Sequence, residues 1–297
     1  MINKLENRSF LIIYNPAAGR KNPAFKLYEF KGYLEGLGYK YFIYHTRPGL
    51  YDLEAIKEFY ISGFTDIVVV GGDGTLNLVV NATIDKPLPI SILPTGTGND
   101  FIKNFNIGKS FQQQMETAVY GQLKKVDIGK CNDLYFLNGL GIGYDGLVAK
   151  KLNQQRQKFK GHLAYLAIVL KGFLFYKEMP VSFQMNGQKY HEPLFMLTIG
   201  NGTTFGGGFK ITPHAKLNDG FLDICFVKSI SPLRRLFNVN RLRVGKHEDV
   251  KEITLLQTKK ITVEDAEVEA HMDGESIGKP PFVISIVPSK INLRVLD

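Results

Sequence analysis

The sequence predicts an α/β domain built on a parallel sheet, followed by a second domain rich in β-strands. Up to about residue 125, apolar runs of strand length alternate with segments of helical length and spacing. Repeated β-α-β units of this kind indicate a parallel sheet covered by helices. Within that part, the β-branched run Ile67–Val70 leads through a glycine-rich turn into a helix-like segment. After about residue 126, strand-like runs dominate, which is typical of a β-rich domain.

The first domain is predicted to span residues 1–125, and its strands run directly into short polar turns. Its predicted strands and helices are, in order, Ser9–Tyr14, residues 24–37, Tyr39–His45, Asp52–Tyr60, Ile67–Val70 and Pro89–Pro94. Ligands bind at the carboxyl ends of the strands in sheets of this kind. The turns that follow three of the strands are therefore candidate binding segments: Asn15–Arg20, Gly71–Thr75 and Thr95–Asp100.

The second domain is predicted to span residues 126–288. Its strand-like runs are Tyr135–Asn138, Val181–Met185, Leu194–Ile199, Leu222–Val227, Ile261–Val263, Val268–Met272 and Phe282–Val287. A single long helix, Leu147–Tyr176, is predicted to interrupt these strands. A last run, Ile291–Val295, lies in the segment of about residues 289–297 that we expect to return to the first domain.

Composition narrows the class of protein. The 44% of hydrophobic residues is enough for a substantial core, and two cysteines provide no disulfide framework. The N-terminus lacks the apolar core of a signal peptide, and the longest apolar run, Leu163–Phe175, is too short to span a bilayer and contains Lys171. We therefore expect a cytoplasmic protein. The net charge of +9 favours nucleic acid, an anionic membrane or a phosphorylated ligand as partner, without separating them.

The central motif is GGDGT, residues 71–75. Its glycines allow backbone N–H groups to approach an anion, and the start of the following helix carries partial positive charge. Asp73 lies inside the turn, where its carboxylate is suited to a Mg²⁺ ion that bridges phosphate oxygens. The alternative is an ordinary strand-to-helix turn. Three glycines with an Asp and a Thr in five residues exceed what such a turn needs, so a phosphate-binding turn is favoured.

Two further motifs extend this interpretation. Residues 94–101 read PTGTGNDF, in which small residues allow close backbone approach and polar side chains are suited to phosphate or ribose. Residues 15–19 read NPAAG. GGDGT is similar to a signature shared by diacylglycerol kinases, sphingosine kinases, NAD kinases and 6-phosphofructokinases. The three motifs together, N-P-x-x-G, GGDGT and P-x-G-T-x-N-D-F, resemble the catalytic domain of bacterial diacylglycerol kinases and related lipid kinases.

The resemblance implies the folds of both domains and the cofactors that the protein binds. It implies an α/β domain like those of NAD kinase and 6-phosphofructokinase, a second domain like a β-sandwich, and ATP with Mg²⁺ as cofactors. Carried over residue by residue, the implied nucleotide-binding set is Asn15, Pro16, Ala17, Ala18, Gly19, Thr46, Gly71, Gly72, Asp73, Gly74, Thr75, Leu76, Asn77, Thr97 and Asn99. Asp73 is also implied to be catalytic.

Two motifs in the second domain belong to the same resemblance. In the segment Pro213–Asp223, the Asp219-Gly220 turn is chemically suited to a hard cation, but a β-turn without an ion remains an equal alternative. The resemblance implies a structural Mg²⁺ bound by the Asp219 side chain and by the carbonyl groups of Lys216 and Phe221.

Residues 273–275 read DGE, which predicts a hairpin turn. The resemblance makes Glu275 the general base, and phosphoryl transfer to an alcohol needs such a carboxylate.

Other patterns are less specific. GIGYDG, residues 141–146, matches a dinucleotide-binding pattern but lacks the acidic residue about 20 positions on, so it is interpreted as a tight turn. The basic run Arg234–Lys246 is compatible with anionic lipid head groups and equally with a solvated loop. The helix around Leu163–Phe175 is interpreted as core, with a wall of a lipid cleft as the alternative.

The resemblance implies a kinase that transfers phosphate from ATP to a lipid hydroxyl, most directly from diacylglycerol to phosphatidic acid in phospholipid metabolism. It further implies a lipid substrate at the membrane surface, a cytoplasmic enzyme peripherally associated with that membrane, and a homodimer as an oligomeric state to test; no nucleic acid partner is expected. Two alternatives stay open. One is an enzyme like NAD kinase acting on a soluble acceptor, which ATP turnover dependent on NAD would reveal. The other is a regulator that binds nucleotide or lipid without catalysis.

Overall fold

The computed structural model describes residues 8–19, 22–47, 51–60, 63–155, 162–264 and 266–296. They belong to two compact units, one of Met1–Val126 with Ser289–Asp297 and the other of Asp127–Pro288. The chain passes from one unit to the other inside two of its strands. None of the described helices combines the length and the apolar character that crossing a membrane requires.

Helices and strands alternate in the first part of the described chain, and strands outnumber helices in the rest. The helices are α1 (Pro23–Gly36), α2 (Tyr51–Tyr60), α3 (Asp73–Thr83), α4 (Phe111–Tyr120), α5 (Tyr144–Gln155), α6 (His162–Phe175) and α7 (Pro232–Val244), with a 3-10 helix at Ile102–Asn104. The strands are β1 (Ser9–Tyr14), β2 (Lys40–His45), β3 (Asp66–Gly71), β4 (Pro89–Pro94), β5 (Gln122–Cys131), β6 (Leu134–Phe136), β7 (Gly139–Gly143), β8 (Met179–Met185), β9 (Gln188–Gly200), β10 (Leu222–Lys228), β11 (Ile253–Thr258), β12 (Lys260–Val263), β13 (Ala270–Met272), β14 (Glu275–Gly278) and β15 (Phe282–Val295).

The first unit contains a parallel sheet in the order β2, β1, β3, β4 and the end of β15. Every residue of β3 is buried, as expected for a near-continuous apolar run covered on both faces. After β1 the chain forms β2 on one side of β1, and it then forms β3 and β4 on the other side. This order creates a topological switch point between β1 and β3, where the loops leaving the two strands diverge and ligands bind in open α/β sheets.

A buried ion cluster connects the C-terminal strand to this sheet. Asp66, at the start of β3, is 2% exposed and accepts hydrogen bonds from both Arg8 and Arg294. The nearest N–O distances are 2.5 Å to Arg8 and 2.7 Å to Arg294. Arg294 lies on β15, which pairs with β4 through Asn292 and Leu293. The last residues of the chain therefore supply both a strand and a charge to the first unit.

The second unit contains a largely antiparallel sheet in the order β14, β13, β7, β9, β8, β12 and the start of β15, with β10 paired to both β9 and β11. Residues Leu194–Gly200 of β9 are all buried, and the apolar ones contribute to two different hydrophobic clusters. Leu197 and Ile199 belong to one cluster, and Phe195 and Met196 to the other. The predicted fold class, an α/β domain followed by a β-rich one, is confirmed.

The structure differs from the sequence prediction in the helices of the second unit. The segment predicted as one long helix, Leu147–Tyr176, contains two helices, α5 and α6, and residues 156–161 between them lie outside the described part of the chain. The basic run Arg234–Lys246, for which a solvated loop is one of two equal interpretations, lies mostly in α7, so the loop interpretation is wrong. Its boundary signals were present in the sequence, because Pro232 occupies the first turn and Gly245 ends the helix with φ +77°.

Candidate active site

The loops that follow β1 and β4 meet at the carboxyl edge of the first unit's sheet. Gly19 has φ +68°, and a Cβ atom built on it would lie 1.8 Å from the carbonyl oxygen of Thr95. Any side chain at this position would therefore collide with the backbone of the other loop. Of the predicted turn Asn15–Arg20, Arg20 itself lies outside the described residues.

The loop after β3 joins the same contact. A Cβ atom on Gly96 would lie 2.8 Å from the Cα atom of Gly72 and 2.6 Å from Oδ1 of Asn99. The two glycine-containing backbones are thus in direct contact, and Asn99 folds over them with φ +50° while its amide donates to the Gly96 carbonyl at 2.8 Å. The glycines of both motifs are required by close backbone approach as well as by turn geometry.

Polar side chains connect the remaining predicted positions. Nδ2 of Asn15 donates to Oγ1 of Thr75 at 3.0 Å, and Oδ1 of Asn15 accepts from the Ala17 N–H at 2.9 Å. The Thr46 N–H donates to the Tyr14 carbonyl at 2.8 Å, which places Thr46 beside the end of β1. Most predicted nucleotide-binding residues therefore lie together on one edge of the first unit.

The predicted nucleotide-binding residues differ in their exposure to solvent, and exposure decides which of them a ligand can contact. The exposed ones are Pro16, Ala17, Gly19, Gly74 and Thr97. Leu76, in contrast, is fully buried, and its N–H donates to the Gly72 carbonyl at 3.0 Å. Leu76 therefore packs in the core and secures the first turn of α3.

The start of α3 is arranged to receive an anion. The helix begins at Asp73 after Gly72, whose extended backbone caps it without any side chain. The first N–H groups of a helix have no partners within it and lie at the positive end of its dipole. Because Gly72 adds no side chain, these groups can be approached closely by a phosphate.

A second carboxylate, Asp100, stands near Asp73. Oδ2 of Asp73 accepts from the Asp100 N–H at 2.7 Å, and a Cβ atom built on Gly98 would lie 3.8 Å from Oδ2 of each aspartate. Lys103 forms an ion pair with Asp100 at 2.7 Å. Asp100 ends the candidate binding segment Thr95–Asp100, but no individual role was predicted for it from the sequence. Two carboxylates around one point are a donor set that fits Mg²⁺, which proteins usually hold through one or two carboxylates together with substrate phosphates.

Lys26 is another residue at this edge that was not predicted from the sequence. It lies in the first turn of α1, and its Nζ donates to the Pro94 carbonyl at 3.0 Å and to the Gln114 side chain at 3.3 Å. The ammonium group thus holds the end of β4, from which the Thr95–Asn99 loop departs. No local sequence signal marks this contact, because the two residues are 68 positions apart.

In the second unit, Asp273 fixes the turn that carries Glu275. Asp273 and Gly274 have φ of +48° and +88°, and they connect β13 to β14. The Asp273 carboxylate accepts three backbone N–H groups, from Leu137, Asn138 and Gly139, at 2.7 to 3.0 Å. These three hydrogen bonds hold the turn in place. They explain why an aspartate stands two positions before the predicted base. Glu275 itself is exposed at the start of β14.

His271 and Asp145 support the same turn. Nδ1 of His271 accepts from the Gly274 N–H at 3.3 Å, and Nε2 of His271 lies 3.7 Å from Oδ2 of Asp145. A Cβ atom on Gly141 would lie 2.0 Å from that same carboxylate oxygen. The GIGYDG segment therefore begins inside strand β7, and it is not only the tight turn that its sequence predicts. Gly141 in this strand leaves room for the Asp145 side chain.

The loop predicted to bind a structural cation is rich in negative charge. Oδ1 of Asp219 accepts from the Phe221 N–H at 3.0 Å, and Oδ2 of Asp127 accepts from the Gly220 N–H at 2.8 Å. Burial, together with the charge of Asp219, raises the pKa of Asp223 to about 6. Within the described ranges, no group of three or more His, Cys, Asp or Glu side chains forms a metal cluster. A cation here would depend on backbone carbonyls such as those of Lys216 and Phe221, and the local negative charge fits one.

Comparison with known proteins places both units in one family. The model of the diacylglycerol kinase catalytic domain matches residues 9–131, and the model of the YegS C-terminal NAD kinase β-sandwich-like domain matches residues 139–295. The chain is 29% identical over 278 residues to a diacylglycerol kinase from Staphylococcus aureus strain MRSA252, covering 91% of this chain and 87% of that protein. The same figures hold for the diacylglycerol kinase of strain Newman.

Solved structures agree along nearly the whole chain. A crystal structure of a candidate diacylglycerol kinase from Bacillus anthracis strain Sterne superposes with a TM-score of 0.79 at 27% identity, covering 99% of this chain and 98% of that one. A crystal structure of a diacylglycerol kinase from the same strain has a TM-score of 0.77 at 25% identity, covering 97% and 96% of the two chains. With both units matched, the chain belongs to the diacylglycerol kinase family, whose members are kinases that take ATP as phosphate donor.

Proposed function

We propose that this protein is an ATP- and Mg²⁺-dependent lipid kinase, with diacylglycerol as the first acceptor to test. The observation that carries the proposal is the pair of carboxylates, Asp73 and Asp100, beside the open start of α3. The loops Asn15–Gly19 and Thr95–Asn99 would surround the phosphates of ATP, with Thr46 beside them. Asp73 and Asp100 would hold Mg²⁺, which when bound neutralises charge on the phosphate oxygens.

Glu275 is proposed as the general base of the transfer. Its carboxylate would accept a hydrogen bond from the acceptor hydroxyl and orient the oxygen for in-line attack on the γ-phosphorus. The new bond joins the acceptor oxygen to phosphorus, the bond between that phosphorus and the β–γ bridging oxygen breaks, and ADP leaves. The hydroxyl proton passes to Glu275. Asp273 keeps the backbone of the turn in place during this step.

The test is transfer of labelled γ-phosphate from ATP with Mg²⁺ to a panel of acceptors. The panel contains diacylglycerol, monoacylglycerol, phosphatidylglycerol, a sphingoid base and ceramide in mixed micelles, with NAD as a soluble acceptor. We expect label in a lipid, and loss of that label in Asp73→Asn. Label in NAD alone would instead establish the soluble-acceptor alternative. Binding of ATP without label in any acceptor would support a non-catalytic regulator.

We also propose that the loop Lys216–Phe221 binds a structural Mg²⁺. In Asp219→Asn the carboxylate is lost but the side chain keeps its shape, so cation affinity should fall. We expect Mg²⁺ at about 10 mM to raise the Tm of wild type by linkage, and to raise the Tm of Asp219→Asn by less, because only this loop has lost its carboxylate. Glu267→Gln, an exposed control in the same unit whose partner is Lys279 outside this loop, should respond as wild type does. An equal shift in Asp219→Asn would contradict this site.

The proposed membrane contact is the outer face of α7. Leu233, Leu236 and Phe237 are exposed on it, Phe237 at 80%, and the helix contains four arginines and no acidic residue. Arg235 points inward, is 4% exposed and forms an ion pair with Glu178 at 2.5 Å. Exposed apolar side chains on an arginine-rich helix are typical of helices that lie on anionic membranes. Because Arg234 and Arg241 form ion pairs with Glu252 and Asp249, the exposed apolar side chains are the main support for this contact.

Binding to vesicles tests this contact. We expect Phe237→Ser to lower the affinity for phosphatidylglycerol vesicles, measured by co-sedimentation, about 30-fold, because a buried aromatic side chain contributes on the order of 2 kcal/mol. Wild type should bind vesicles of phosphatidylcholine alone far more weakly, since this lipid is zwitterionic and carries no net negative charge. Leu123→Ser removes an apolar side chain that is 51% exposed in the first unit and serves as the control. Equal loss in both variants would contradict a specific role of α7.

A further inference from the structure

Helix α5 runs beside the hairpin that carries Glu275. Gly146, Lys150 and Asn153 are spaced at i, i+4 and i+7, so they share one face of the helix. A Cβ atom on Gly146 would lie 2.1 Å from the carbonyl oxygen of Glu269, which means that the first turn of α5 touches the backbone just before β13. Lys150 forms an ion pair with the Glu269 carboxylate at 2.7 Å. These two contacts fix the helix against the hairpin.

The third residue of this face reaches Glu275 itself. Nδ2 of Asn153 donates to Oε2 of the Glu275 carboxylate at 3.2 Å. Asp273 holds the backbone of the turn, and Glu275 extends beyond it as an exposed side chain with several rotamers. A neutral amide donor restricts the carboxylate without taking its proton or competing as a base.

We infer that Asn153 is a positioning residue that orients the Glu275 carboxylate toward the acceptor hydroxyl. The inference rests on the proposed role of Glu275 as the base. Since α5 is anchored to the hairpin by its first two turns, the backbone at Asn153 stays beside the turn that carries Glu275, within reach of a hydrogen bond from the amide to the carboxylate. Asn153 would thus act on kcat through geometry and would leave the binding of ATP unchanged.

Kinetics of two substitutions test the inference, with diacylglycerol in mixed micelles as acceptor. We expect Asn153→Ala to lower kcat about 10-fold with the KM for ATP unchanged, since small misplacements of a reacting group are costly. We expect Asn153→Asp to lower kcat further and to move the acid limb of its pH profile upward, because a second carboxylate opposes ionisation of the first. Gln154→Ala and Gln154→Glu, at the exposed neighbouring position, should stay within about twofold of wild type, as surface substitutions usually do.

A double-mutant cycle separates positioning from mere stability. If Asn153 acts through Glu275, adding Asn153→Ala to Glu275→Gln should cause no further loss. An additional loss of about 10-fold in the double variant would overturn the inference. The inference would also fail if both Asn153 variants kept the kcat and the pH profile of wild type while Glu275→Gln was impaired. Wild-type activity of Glu275→Gln would instead overturn the proposed base. Asn153→Asp preserves the side-chain shape and keeps the test valid if the alanine variant unfolds.

Discussion

Replacing Glu275 by glutamine is expected to lower kcat for phosphate transfer by about 10²- to 10⁴-fold, the range that general-base catalysis contributes. Glutamine has nearly the same shape and still accepts a hydrogen bond from Asn153, but it cannot take the hydroxyl proton. Glu275 is exposed, so its replacement should leave Tm unchanged. Initial rates at saturating ATP and diacylglycerol measure the effect.

The control for this substitution is Glu267→Gln. Glu267 lies a few residues before β13, is 74% exposed and forms an ion pair with Lys279. The control removes one negative charge from the same region of the chain without touching the turn, and its kcat should equal that of wild type. A kcat of Glu275→Gln within about twofold of wild type, with wild-type Tm and ATP binding, would exclude Glu275 as the base.

Replacing Asp66 by asparagine is expected to lower the free energy of unfolding by about 3–5 kcal/mol, the cost of breaking a buried ion cluster by removing one partner. Arg8 and Arg294 are 8% and 11% exposed, and both would keep their charge without the carboxylate that compensates it. Urea unfolding at neutral pH, followed through a signal from the first unit, measures this change in the free energy of unfolding. In Glu54→Gln, which disrupts an exposed pair with Lys57 at 3.4 Å, the change should stay below about 0.5 kcal/mol.

The same cluster predicts a dependence on pH. Burial alone would raise the pKa of Asp66, but hydrogen bonds from Arg8 and Arg294 outweigh it and lower this pKa below its ordinary value. A lowered carboxyl pKa contributes stability above the unfolded-state pKa of about 3.9, and this contribution is lost as the pH falls below that value. The difference in unfolding free energy between wild type and Asp66→Asn should therefore shrink as the pH is lowered from about 5 to about 3. A constant difference would show that the charge of Asp66 is not the cause.

Much of the first unit was predictable because its signals are local. A buried parallel strand needs an uninterrupted apolar run, and Ile67–Val70 is such a run inside β3. Glycines that allow close approach of two backbones must stand at the turns themselves, so Gly72 and Gly96 were visible as motifs before their contact was known. Helix α7 was missed because its apolar residues face solvent as well as the core, which removes the periodicity that identifies a helix.

The amino-acid sequence by itself determined the class of fold, the order of the motifs and the family to which the chain belongs. Only the tertiary structure decided which residues support them. Asp100 faces Asp73 across 27 positions, Asn153 reaches Glu275 across 122, and Arg294 reaches Asp66 across 228. The physical reason is that strands and turns follow from residues close in sequence, whereas a hydrogen bond or ion pair depends on where the folded backbone brings two side chains together.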